Sequence, residues 1–186
     1  MQEWIQKSSQ EGADYKIFRT RRDVLQSPRT GADHAVVVLE GPDWVNVVAI
    51  GCDGLWVLVR QFRFGSRTFT VEIPGGMVDR GETPRQAAER ELLEETGCQT
   101  SRWTLLGWVH PNPAYQINRC YTFLAEDCQV VAEPHQDPGE DLQILRWTQT
   151  QVFQAAALGH ITHALVLVGL FFFQNPSTIT VEKAEG

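Results

Sequence analysis

Residues 72–98, EIPGGMVDRGETPRQAAERELLEETGC, place a glycine-rich turn directly before a segment crowded with carboxylates, and this spacing constrains the chain more than any other feature. Thr83 suits an N-cap and Pro84 the first helical position; Gln86 completes a capping box and Gly97 is a natural stop, so residues 84–96 are expected to form one short helix. At roughly 100° per residue, Glu91, Glu94 and Glu95 share one side of that helix, while Ala88, Leu92 and Thr96 line an adjoining side. Three like charges this close raise one another's pKa unless positive charge lies between them. Taken alone, such a run is most simply a solvated helix face. A hard divalent cation held through oxygens, Mg²⁺ or Mn²⁺, is the chemical alternative.

Counted from Gly76, five residues precede Glu82, seven more precede Arg90, and the segment RELLEETGC follows without a break. This resembles the signature of the Nudix hydrolases, G-x5-E-x7-R-E-U-x-E-E-x-G-U, in which U is bulky and apolar. Gly76, Glu82, Arg90, Glu91, Glu94, Glu95 and Gly97 all match. Cys98 stands at the last apolar place, where a buried thiol serves as a small hydrophobe. So many fixed residues at fixed spacing make the match specific in a way that a lone glycine motif is not.

A chain of 186 residues is long enough to bury a sizeable core as one domain. Its net charge of −7 argues against a nucleic-acid duplex as partner, because phosphate backbones are bound through basic surfaces. It leaves open a small anionic substrate, since a metal inverts the local field. Cys52, Cys98, Cys120 and Cys128 form no CxxC pair and no zinc-finger spacing, so reduced thiols in a cytoplasm are expected. The N-terminal residues lack a basic-then-apolar leader. The apolar run 164–173 is too short for a membrane span and is expected to be a buried helix.

Along the chain, residues 1–14 are polar and are expected to be loosely attached. Strands are expected over residues 15–24, HAVVVLE, VNVVAIG and LWVLVRQFRF, the last two joined by a hairpin turn at Asp53-Gly54. After the helix, WTLLGWVH and CYTFLAEDCQV are strand-like around a proline-broken loop, residues 110–119. A polar segment, EPHQDPGED, precedes a further strand, LQILRWTQ. Two helices separated near Gly159 close the chain, and residues 175–186 are expected to be a tail. His160 and His163 lie three apart, but without a carboxylate or thiol partner in sequence they are expected at a helix end or interface rather than on a metal. These elements predict an α/β/α sandwich around a mixed sheet, preceded by an N-terminal antiparallel strand region at 15–50, with the core at 51–174.

The strands ending in VRQFRF shortly before EIPGG resemble the ADP-ribose, or nucleoside diphosphate sugar, pyrophosphatase branch of the Nudix family. That resemblance extends over about residues 15–174 and implies hydrolysis of a nucleoside diphosphate linked to a second group, with dimerisation through the N-terminal strands. It implies a substrate-binding role for Arg63, whose plainer role is a surface strand residue. Pro113 occupies roughly the place of a proline common in the ADP-ribose type, whereas a nearby tyrosine, here Tyr115, marks dinucleoside polyphosphate hydrolases. Tyr115 is equally a base-stacking group or a packing anchor. As metal ligands the resemblance implies Glu91 and Glu95, with Glu94 beside them, the backbone carbonyl of Gly75, and Glu140 from the acidic loop. Arg90 is expected to orient the signature glutamates, and Glu82 to brace the glycine loop through a salt bridge. Pro138 stands where the best-known branch carries a glutamate base, which leaves the base open between Glu140, Asp137 and a signature glutamate. A housecleaning or dinucleoside polyphosphate hydrolase, and a sensor that binds a nucleotide sugar without cleaving it, are the competing functions.

Overall fold

Alternating and continuous apolar runs set up two separate β-layers in the computed structural model, which describes residues 2–135 and 141–176. The chain forms two compact units, residues 1–43 with 110–119, and residues 44–109 with the chain from 120 onward.

In the first unit, β1 (Ile5–Asp14), β2 (Arg19–Gln26) and β3 (Asp33–Glu40) make an antiparallel sheet in that order. The polar N-terminal residues, expected to be loosely attached, therefore form a strand. Their side chains are exposed throughout, and a strand needs only backbone pairing to hold it when its faces are solvated. Ser9 Oγ donates to the buried Asp23 at 2.7 Å, which ties β1 to β2 by side chain as well. Loop 110–119 lies against the end of β3, where the Leu39 N–H donates to the Tyr115 carbonyl at 2.7 Å.

The second unit contains β4 (Trp44–Gly51), β5 (Trp56–Arg63), β6 (Thr68–Glu72), β7 (Gly75–Met77), α1 (Pro84–Thr96), β8 (Cys98–Gln99), β9 (Arg102–Val109), β10 (Cys120–Val130), β11 (Gln143–Trp147), α2 (Gln149–Ala157) and α3 (Ala164–Gln174). Its sheet runs β11-β5-β4-β10-β8, with β6 on β5, β7 on β4 and β9 on β10. β10 runs parallel to β4 while the other pairs are antiparallel, so the sheet is mixed. β4, grouped by sequence with the N-terminal strands, is central to this sheet because its near-continuous apolar run is buried on both faces.

Side-chain alternation along β4 divides the core. Val45, Val47 and Ala49 pack with Ala87, Ala88 and Leu92 of α1, whereas Val48 packs with Trp56, Leu58, Val152, Ile161 and Val166 on the α2 and α3 side. Helices thus cover both faces, giving the α/β/α sandwich. α3, expected as a buried helix, is buried on one face: Val166, Gly169 and Leu170 meet the sheet, while Leu167 and Phe171 are exposed. No described helix is long and apolar enough to cross a membrane.

Leu92 is fully buried between α1 and the sheet. Leu92→Ala should lower unfolding free energy by about 2–5 kcal/mol, read from the denaturant midpoint at unchanged slope.

Candidate active site

The start of α1 follows directly from local sequence. Thr83 accepts from the Gln86 N–H and the Gln86 side chain accepts from the Thr83 N–H, with Pro84 at the first turn. Gly97 ends the helix at φ 68°, a left-handed conformation that glycine adopts without strain. One helical face is thereby presented to the glycine turn that precedes it.

β7 lays that turn along β4, pairing Asn46 with Gly75 and Val45 with Gly76. A Cβ at Gly76 would sit 2.2 Å from Glu91 Oε1, so only glycine lets the turn lie against this carboxylate. The Gly75 N–H donates to Glu95 Oε2 at 3.0 Å, and Glu95 is buried.

Arg90 binds the rest of the cluster. Its Nε and Nη2 each donate to the Glu82 carboxylate at 3.1 Å, Nη2 also donates to the Met77 carbonyl at 2.9 Å, and Nη1 donates to Glu91 at 2.9 Å and Glu94 at 3.0 Å. Hydrogen bonding to Glu82 raises the already high Arg90 pKa further, against the opposing effect of burial, with Glu91 and Glu94 adding to the rise. Glu82 is correspondingly held below the usual carboxylate range by Arg90, and the Asp79 N–H also donates to it at 3.1 Å.

The donors Glu91, Glu94, Glu95 and the Gly75 carbonyl are all hard oxygens, the set suited to a divalent cation such as Mg²⁺. The signature carries four glutamates and one arginine, which leaves it net negative. Among the described residues, no three His, Cys, Asp or Glu side chains are already gathered in a metal-holding group. Arg90 Nη1 bridges Glu91 and Glu94, donating to both carboxylates. Glu140 and Asp137, the candidates from the acidic loop, lie outside the described residues.

A second polar centre lies beside the turn. Arg63, at the end of β5, donates from Nε to Glu72 Oε1 at 2.8 Å and from Nη2 to Oε2 at 2.5 Å. Thr70 Oγ1 donates to Glu72 Oε1 at 2.5 Å, and His163 Nε2 lies 4.0 Å from Oε2. Burial pushes the Glu72 carboxyl up, but Arg63 and Thr70 outweigh it and hold the group below its ordinary value. His163 is the N-cap residue of α3 but makes no capping hydrogen bond with its side chain, and burial lowers its pKa. Sequence reasoning passed over Glu72 because its pairing with Arg63 depends on the β5–β6 register; the one signal was an acidic residue closing the strand TFTVE.

Pro113 and Tyr115 belong to the first unit, on the 110–119 loop, and both are exposed. The Tyr115 backbone is fixed on both sides, its N–H donating to Asn112 and its carbonyl accepting from Leu39, while its ring is exposed.

A NUDIX domain model matches residues 42–166, which span the turn, α1 and the whole sheet of the second unit. The chain belongs to the Nudix family. It is a Nudix pyrophosphohydrolase, and members of the family depend in general on divalent metals. It is similar to an ADP-ribose pyrophosphatase of Bacillus subtilis (strain 168), 26% identical over 147 residues that cover 78% of this chain and 80% of that protein. It is also similar to an ADP-ribose pyrophosphatase of Mycobacterium tuberculosis, 30% identical over 158 residues, covering 83% of this chain and 75% of the relative. A crystal structure of an ADP compounds hydrolase shares the fold with a TM-score of 0.82 at 22% identity over 94% of both chains.

Because Glu72 and Glu82 are depressed from an ordinary value of 4.5, they bind fewer protons folded than unfolded near that pH. The stability they contribute is complete above about pH 4.5 and is lost as pH falls through their lower folded values. Melting temperature should therefore drop as pH is lowered below 4.5, and Glu72→Gln should flatten that decline.

Proposed function

We propose that this Nudix pyrophosphohydrolase cleaves the pyrophosphate bond of a nucleoside diphosphate sugar, with ADP-ribose preferred, to give a nucleoside monophosphate and a sugar phosphate. The observation that carries this reading is the Arg90-bound carboxylate face lying directly against the glycine turn. The ADP-ribose pyrophosphatases among its relatives and the QFR segment before EIPGG support the choice of substrate.

Glu91 and Glu95 are the principal metal ligands on this reading, with Glu94, the Gly75 carbonyl and Glu140 completing the set. Held there, Mg²⁺ or Mn²⁺ would supply positive charge to offset the bridging phosphates and would lower the pKa of an attacking water. Arg90 keeps Glu91 and Glu94 in orientation, and the Gly75 N–H keeps Glu95 against the turn. Water adds to one phosphorus as the bond from that phosphorus to the bridging oxygen breaks, and a carboxylate among Glu140, Asp137 and the signature glutamates takes the water's proton. Arg63 binds an anionic part of the substrate; Pro113 and Tyr115 contribute to substrate selection from their loop.

Phosphate release with an added phosphatase, over ADP-ribose, nucleoside diphosphate hexoses, NADH, diadenosine polyphosphates and nucleoside triphosphates, tests the assignment. ADP-ribose or a nucleotide sugar should be cleaved fastest, and chelation of divalent metal should abolish the signal. Preference for diadenosine polyphosphates would move the assignment to that class, and no cleavage of any member would leave a binding module. Glu95→Gln should lower kcat by at least about 10³-fold at unchanged far-UV circular dichroism. Near-full activity in that variant would overturn the metal assignment.

The protein is also proposed to act as a cytoplasmic homodimer joined through the N-terminal strand region. Exposed Trp4, Ile5, Tyr15, Ile17 and Val37 supply apolar surface on that unit. Sedimentation at micromolar concentration should give a dimer; a monomer there would overturn this arrangement.

A further inference from the structure

A carboxylate is costly to place inside a sheet unless all its neighbours compensate it. Glu72 is 3% exposed, yet its strongest partner, Arg63, keeps 42% of its side chain exposed. An interaction serving packing alone would be met more cheaply by two apolar side chains at this place. What the carboxylate adds is direction. Bonded through both Nε and Nη2, the planar guanidinium has one edge locked to the carboxylate plane. Thr70 resists rotation of that plane by donating to Oε1, and His163 Nε2 lies 4.0 Å from Oε2, beyond hydrogen-bond reach.

We propose that Glu72 is a positioning residue for substrate binding: held by Thr70, its carboxylate fixes the Arg63 guanidinium in the orientation that engages an anionic group of the substrate. This rests on the reading of Arg63 as a substrate-binding residue. Glu72 itself touches no substrate; it acts through Arg63. Thr70 is then part of the same device, because its hydroxyl holds the carboxylate without contacting the arginine's charge.

Steady-state kinetics with ADP-ribose on Arg63→Ala, Glu72→Gln, Thr70→Val and the Arg63→Ala/Glu72→Gln double variant tests the proposal, with melting temperature followed in parallel. Glu72→Gln should raise KM about tenfold while kcat changes less than about threefold, the pattern of lost uniform binding. Thr70→Val, which keeps the charge pair, should raise KM about two- to threefold. In the Arg63→Ala background, Glu72→Gln should add no further rise in KM, because the group it positions is gone. A fall in melting temperature with unchanged KM in Glu72→Gln, or in Thr70→Val should the glutamine variant not fold, would overturn the proposal. So would KM effects that multiply in the double variant. An unchanged KM in Arg63→Ala would instead remove the substrate-binding role of Arg63 itself, a separate and distinguishable result.

Discussion

The second unit's acidic face depends on one guanidinium. Arg90 reaches the carbonyl of Met77 in the turn, the carboxylate of Glu82 in the following loop, and Glu91 and Glu94 on its own helix. Without that positive charge the helix would carry a strip of mutually repelling carboxylates against a backbone turn. With it, the same strip becomes a rigid array, and turn, loop and helix are drawn into one piece. The bonds are charge-assisted and partly buried, so they are weakened less by solvent than exposed surface pairs.

The array also needs the sheet beneath it. Gly75 and Gly76 lie on β4, and the Gly75 N–H takes Glu95 out of the set that Arg90 must balance. Apolar packing of Ala87, Ala88 and Leu92 holds the adjoining side of α1 down on Val45 and Val47. The helix is therefore fixed from two directions by different physics. Hydrophobic burial sets its distance from the sheet, and directional hydrogen bonds set its rotation.

Arg63 and Glu72 repeat the principle on a smaller scale. Here the carboxylate is the buried partner and the arginine the more accessible one. In both centres a planar guanidinium gains orientation from bidentate or multiple contacts, which a flexible ammonium does not provide. His163 lies beside this second centre from the start of α3, in keeping with the helix-end or interface place expected of it.

Residues 72–98 by themselves determined the helix bounds, its caps and the carboxylate face, because capping and periodicity act over a few residues. The alternating runs likewise determined most of the strands and the mixed α/β class. Tertiary structure decided what depends on register and on distant partners. It made a strand of the polar N-terminal residues through pairing with β2, since backbone hydrogen bonds leave no mark in composition. It moved β4 to the centre of the main sheet, and left one face of the apolar α3 exposed. It brought Glu72 to Arg63 across a hairpin and His163 to Glu72 from more than ninety residues away. Such contacts are chosen by the packing of whole elements, and local residue pattern carries no record of them.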